Sequence, residues 1–197
     1  LECRRVLFRS CLPYFKRAET WQGGDDPYRG GEGPLGVSGG NNMSGNPLYQ
    51  VFIDAGVEAG YPRTHDYNGL CQEGFGPMHM TVRGGIREST SRAYLKPVMK
   101  RPNLTVMTKA LVDQILFEGR RAVGVTASRG RGGQNRTYRA NKEVILAAGA
   151  IASPMILQRS GIGPDSLLRK VGVAPVHRSP GVGQNLQDHT EVYFQFH

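Results

Sequence analysis

Apolar and polar residues alternate along this chain with periods that change from segment to segment. Lys142–Gly163, KEVILAAGAIASPMILQRSGIG, gives the clearest signal. The run Val144-Ile145-Leu146-Ala147-Ala148 predicts a buried strand. Gly149 breaks it. Ser153 then predicts a helix N-cap, with Pro154 at the first helical position, and Ser160-Gly161 predicts the stop. A strand, a tight turn of small residues and a helix N-terminus together form the place where open α/β sheets hold nucleotide cofactors.

Other segments follow from the same periodicities. Pro47–Gly60 places Leu48, Phe52, Ala55 and Ala59 at helical spacing and ends at Gly60 and Pro62, so a helix with those residues packed inward is expected. Cys11–Thr20 predicts a short amphipathic helix with Leu12, Phe15 and Ala18 on one side. Trp21–Asn46 is rich in Gly, Asn and Pro and predicts loop, with a short strand near Leu35–Val37. Tyr67–Val82 is turn-rich and then strand-like. Ser89–Lys100 begins with cap residues, and Pro97 is expected to kink or shorten any helix there.

LTVMT from Leu104, ALVDQILFEG from Ala110 and RRAVGVTA from Arg120 predict three strands of an antiparallel meander, with a hairpin turn at Glu118-Gly119. Tyr138–Ala140 leads on to the central strand. Pro164–Val173 predicts a short helix and Pro180–His189 a loop. Thr190–Phe196 predicts a strand with Glu191, Tyr193 and Gln195 on one face.

Composition narrows the function classes. A chain of 197 residues with 39% hydrophobic content has room for one or two domains and a core. No apolar run approaches the ~20 residues of a membrane span. Three cysteines, Cys3, Cys11 and Cys71, fit neither a disulfide framework nor a zinc site and read as reduced thiols of a cytoplasmic protein. The net charge of +9 comes from dispersed Lys and Arg without aromatic interleaving, so a nucleic-acid partner is not expected. No histidine pair has metal-ligand spacing, and no metal is expected. Leu1–Ser10 carries three arginines and reads as a non-native segment, or as a genuine helix end whose beginning is missing.

A G-x-G-x-x-G fingerprint between strand and helix is absent; Gly181-Val182-Gly183 sits in a loop instead. Gly149-Ala150, Ser153-Pro154, Ile156-Leu157 and Ser160-Gly161-Ile162-Gly163 carry a more specific signal. Together they match every constrained position of the second signature of the glucose–methanol–choline (GMC) flavin oxidoreductases, which the chain therefore resembles. The resemblance extends through LPYFKRAETW, GGEGPLGV, NPLYQVFIDAGVEAGYPRT, RPNLTVMTKALVDQILFEGRRAVGV and PGVGQNLQDH. The run from DYNG to MHMTV is more similar to the choline-oxidising subgroup.

The resemblance implies a mixed α/β fold comprising part of an FAD-binding, Rossmann-like domain (residues 96–197) and part of a substrate-binding region (residues 11–95). It implies FAD as cofactor and hydride transfer from a primary alcohol, choline becoming betaine aldehyde and then glycine betaine. The family's N-terminal ADP-binding unit and its C-terminal catalytic histidine have no counterpart in these residues, so a piece of a longer protein is expected. Another alcohol as substrate, or a non-catalytic remnant, are the alternatives. The electron acceptor, oxygen or a quinone or another carrier, is left open, as is association of the parent enzyme with the inner face of the cell membrane.

The resemblance also carries roles for particular residues. Val112, Ala148, Gly149, Asn185 and Leu186 fall at cofactor-side positions, and His189 at a supporting catalytic position. His189, Glu191 and Tyr193 share a face if their strand is extended. A quaternary ammonium is recognised by a carboxylate and aromatic faces, which Glu191 and Tyr193 supply. His189 is placed to stabilise developing alkoxide charge.

Overall fold

The computed structural model describes residues 2–39, 45–130 and 132–193, with residues 2–9 described by backbone alone. The chain forms two compact units, Leu1–Val106 and Met107–His197.

The first unit opens with α1 (Glu2–Ala18), a helix that runs without interruption past Ser10 and carries Lys16 and Arg17 in its last turn. Those cations oppose the negative end of the helix dipole. Half-buried Leu12 and Ala18 face inward, but Phe15, expected beside them, is exposed. The chain passes directly into β1 (Glu19–Trp21), which pairs parallel with β2 (Leu35–Gly39). β2 pairs antiparallel with β3 (His79–Met80), completing a three-stranded sheet.

The glycines of the loop from Trp21 to Leu35 have a steric reason. A Cβ on Gly30 would overlap the Lys16 carbonyl, and one on Gly33 would overlap the Ala18–Glu19 peptide. The loop therefore lies flat against the end of α1, and Gly30 N–H donates to Glu19 Oε1 at 3.1 Å.

α2 (Pro47–Glu58) forms as the sequence predicts. Asn46 Oδ1 accepts the Leu48 N–H at 3.1 Å, and Pro47 occupies the first turn, where its missing N–H costs nothing. Its buried face is a different one, however. Ile53 and Gly56 are buried, whereas Leu48 and Phe52 are exposed. The reason is Phe75, whose ring lies so close over Gly56 that any Cβ there would strike it, with the Phe52 ring centroid 5.3 Å from its own and tilted by 51°. β4 (Val82–Arg83) and β5 (Ile86–Arg87) form a hairpin. Gly84 and Gly85, both at positive φ, provide its two-residue turn. Buried Glu88 ends the hairpin and holds Arg83 at 3.1 Å and Arg92 at 3.4 Å. A π turn over Ser91–Leu95 and a 3-10 turn over Lys96–Val98 follow, so Pro97 does limit helix here.

The second unit contains the meander, with two corrections. LTVMT is not a strand but an exposed connection. The three strands are β6 (Ala110–Glu118), β7 (Arg121–Arg129) and β8 (Asn135–Arg139), antiparallel and in sequence order. Glu118-Gly119 does begin the first turn, Gly119 having φ of 59°. The run Val144–Ala148 is not a strand either. It is irregular, and Ile145 is 80% exposed. A strand exists only where a neighbour accepts its N–H groups and donates to its carbonyls. No described strand lies beside this run.

α3 (Gly149–Arg159) packs on β6 and is followed by β9 (Ile162–Gly163) and α4 (Asp165–Lys170), the expected short helix. β10 (His177–Arg178) pairs parallel with β9. Ser160 and Gly161 end α3 as predicted, Gly161 taking φ of 81°.

Candidate functional site

In the second unit a cleft of about 530 Å³ lies between the first two turns of α3 and the loop that follows β10. Ala150, Ile151, Pro154 and Met155 form its helical wall, and Asn185 and Leu186 part of the opposite wall.

The helix begins a full turn before the position that Ser153-Pro154 predicts. Gly149, at φ of 87°, reverses the chain and leads into the helix. Ser153 still serves the N-terminus, but from inside the helix, where its Oγ accepts the Ala148 N–H at 3.0 Å. Pro154 accordingly sits within the helix, where it offers no N–H to the Ala150 carbonyl.

The opposite wall is a chain of tight turns. Val182 N–H donates to the Ser179 carbonyl at 3.2 Å, and Gln184 N–H to the Gly181 carbonyl at 3.1 Å. Gly183 and Asn185 both have positive φ, 78° and 56°. Asparagine is one of the few side chains that tolerates that region. One side chain of α3 reaches across: Gln158 Nε2 donates to the Val182 carbonyl at 3.2 Å.

Four of the residues singled out in the sequence are brought to this region. Ala148 and Gly149 form the exposed entry to α3, and Asn185 and Leu186 line the cleft. Val112 is not among its lining. It lies half-buried on β6, paired with Ala127 and followed by a register shift.

The segment after the cleft loop departs from the strand predicted for Thr190–Phe196. Residues 190–193 are irregular, and Phe194–Phe196 lie outside the described residues. His189 N–H donates to Asp188 Oδ1 at 2.8 Å. The Tyr193 hydroxyl donates to Glu191 Oε2, so these two side chains do meet. That hydrogen bond, together with the carboxylate charge, holds the Tyr193 phenol above its ordinary pKa. Among the described residues, no group of three His, Cys, Asp or Glu side chains is arranged to hold a metal ion. No described helix is long and apolar enough to cross a membrane.

The first unit contains a polar cluster to which sequence reading assigns no role. Arg29 is 2% exposed. Its Nε and Nη2 donate to the two oxygens of Glu19 at 2.8 and 3.0 Å, and its Nη1 to Asp66 Oδ1 at 2.9 Å. Nη1 also lies 3.2 Å from His79 Nδ1, and the guanidinium stands 4.2 Å from the Trp21 ring centroid. The His79 ring lies between Trp21 and Tyr67, with centroids 4.5 and 4.7 Å away.

Burial draws the Arg29 pKa down, but Glu19 and Asp66 more than offset it, and the net displacement is upward. Burial pushes His79 below the usual histidine range; Asp66 pulls it back and Arg29 lowers it further. These residues are spread from Glu19 to His79, so no local spacing announces them. The nearest signal is that ETW and DYNG each contain one of the carboxylates.

A mixed α/β chain with a left-handed glycine leading into a helix, and beside it a cleft walled by apolar helix residues and by loop amides, has the form of a ligand-binding α/β protein. The chain belongs to the GMC oxidoreductase family, whose profile matches residues 6–191. It is 58% identical over 190 residues to an oxygen-dependent choline dehydrogenase of Vibrio vulnificus, covering 96% of this chain and 34% of that protein. It is 57% identical over 189 residues to one of Photobacterium profundum, covering 96% of this chain and 33% of that protein. The chain thus spans about a third of the length of the curated relatives it matches. Among solved structures it resembles an FAD-dependent oxidoreductase from Chaetomium thermophilum, with a TM-score of 0.85 and 34% identity over 92% of this chain and 33% of that one. A pyridoxine 4-oxidase structure matches with a TM-score of 0.83 and 34% identity, covering 92% of this chain and 35% of that one.

Proposed function

We propose that this chain is part of an FAD-dependent oxidoreductase that oxidises a primary alcohol, and that the alcohol is choline, converted to betaine aldehyde on the route to glycine betaine. The observation that carries the choline assignment is the meeting of the Glu191 carboxylate and Tyr193 in the segment directly after the cleft loop. A quaternary ammonium has no N–H to donate and no lone pair to accept, so it is held by negative charge and by aromatic faces. One carboxylate and one phenol side by side meet that need, and a neutral alcohol has no use for the charge.

The residues present fit a flavin cofactor. The turn at Gly149 has no side chain and is open, with nothing within 4 Å of where a Cβ would stand. The N–H groups of the first turn of α3 are available to an anionic or carbonyl oxygen. The adjacent cleft, with an apolar helical wall and amide side chains opposite, is of a size to take one portion of such a cofactor. Ala148 and Gly149 would allow close approach at the turn, and Asn185 and Leu186 would border the cofactor from the loop. Val112 is assigned to the adenine end on resemblance alone. Bound FAD would supply the hydride acceptor. Glu191 and Tyr193 would orient the cationic end of the alcohol, and the His189 side chain would donate a hydrogen bond to its oxygen, stabilising the negative charge that develops there.

The test is made on the protein encoded by the full reading frame. A purified yellow protein whose visible flavin absorbance is bleached by choline without oxygen, but not by a neutral alcohol of similar size, supports the proposal. Bound flavin that choline leaves oxidised rejects choline and favours another primary alcohol. No flavin rejects the enzyme reading in favour of a non-catalytic remnant. Glu191→Gln should weaken apparent choline affinity at least tenfold, and unchanged affinity would remove Glu191 from the site.

A further inference from the structure

The second unit contains a slot made by two glycines, and one side chain fills it. Gly163 on β9 and Gly183 in the cleft loop approach the same side chain, that of Gln158. A Cβ on Gly163 would lie 3.3 Å from Gln158 Cγ, and one on Gly183 would lie 2.5 Å from Gln158 Nε2. The amide at the end of that side chain donates to the Val182 carbonyl at 3.2 Å. Gln158 thus extends from α3, between the two glycines, to the loop that forms the far wall of the cleft.

We propose that Gln158 is a positioning residue for the cofactor-side cleft: it fixes the Gly181–Leu186 loop against α3, and so sets where Asn185 and Leu186 stand. The inference rests on the flavin reading above. Ahead of the loop, the Ser179 N–H donates to the Gly163 carbonyl at 3.0 Å; among the described residues the Gln158 amide is the hydrogen bond that ties the loop itself to α3. Gly183 and Asn185 both adopt left-handed backbone, and Leu186 is exposed. The backbone hydrogen bonds at Val182 and Gln184 shape the loop internally but do not tie it to α3. A half-buried amide donating to a carbonyl has a defined direction, and it joins the helical wall to the loop wall directly.

The slot explains the side-chain type. Leucine at position 158 has similar bulk and no donor. Glutamate has similar shape, but its carboxylate would face the Val182 carbonyl, acceptor against acceptor. Alanine on the loop side, Gly183→Ala, would need φ near 78° and would displace the Gln158 amide.

The experiment uses the complete protein and measures FAD dissociation by the recovery of flavin fluorescence, alongside melting of the flavin-free form. If wild type retains no flavin, the parent reading fails before this one is reached. If wild type binds flavin, Gln158→Leu and Gln158→Glu should each weaken FAD binding about tenfold or more, with flavin-free melting unchanged and faster proteolytic cleavage within residues 180–187. Wild-type flavin affinity in both variants overturns the proposal. Should Gln158→Leu also lower flavin-free melting, Gly183→Ala and the double variant decide. Both changes break one contact, so their effects on flavin affinity should fall short of additivity, and strict additivity overturns the proposal.

Discussion

Ser160 and Ile115 are joined by a hydrogen bond from the Ile115 N–H to Ser160 Oγ, 2.8 Å long, while the same hydroxyl donates to the Ile156 carbonyl at 2.6 Å. Ser160 is therefore more than the end of a helix. Both partners of its hydroxyl are backbone groups in a buried setting, and together they fix the C-terminus of α3 to the middle of β6.

Ser160→Ala should accordingly lower stability by about 1–3 kcal/mol, because it leaves the buried Ile115 N–H without an acceptor. Denaturant unfolding of the variant is the check. A loss under half a kcal/mol would mean that water replaces the hydroxyl.

Arg29→Met should cost about 3–5 kcal/mol, since it leaves Glu19 and Asp66 facing one another with no cation between them. Arg29→Lys should recover only part of this, because an ammonium cannot pair with both Glu19 oxygens while also reaching Asp66. Thermal melting of the three proteins side by side measures both effects.

His79 gives the first unit a pH dependence of definite sign. Its folded pKa lies below the ordinary 6.5, so the unfolded chain takes up the proton first as pH falls. The stabilisation is complete above pH 6.5 and is lost as pH falls from there through the lowered folded value. Melting temperature should drop between pH 7.5 and about 5.5 in wild type and drop less in His79→Gln. Equal drops in the two proteins would show that other groups govern the change.

Gly30→Ala should destabilise by about 1–3 kcal/mol, because the new methyl meets the Lys16 carbonyl, a backbone atom that cannot swing aside. Gly181→Ala makes the matched control. Nothing lies within 4 Å of its Cβ position, and its φ is not in the left-handed range, so its effect should stay within about 0.5 kcal/mol. Chemical denaturation of the pair separates steric exclusion from a general glycine effect.

How much of this was legible in the sequence depended on the range of the interaction involved. α2 has its helical spacing and its stop at Gly60 written within the one segment, and it forms where predicted. The Glu118-Gly119 turn and the Ser160-Gly161 stop are likewise local, and so is the loop through Gly181–Asn185. The family was legible for a related reason, since its signature at Gly149–Gly163 is a fixed spacing of small residues around one turn and one helix.

The sequence alone also determined that Glu191 and Tyr193 stand two residues apart, and the structure brings their side chains together without the strand that this spacing suggested. What tertiary structure decided is whatever needed a partner distant in the chain. Val144–Ala148 has the composition of a strand but no described neighbour with which to exchange backbone hydrogen bonds. Leu48 and Phe52 have helical spacing, yet Phe75 packs on Gly56 and turns a different face inward. Arg29 finds Glu19, Asp66 and His79 across as many as 50 residues of sequence, and Gln158 finds its slot between glycines on separate elements. Local sequence fixes backbone preference and periodicity; burial, charge pairing and cleft shape depend on which elements the fold sets side by side.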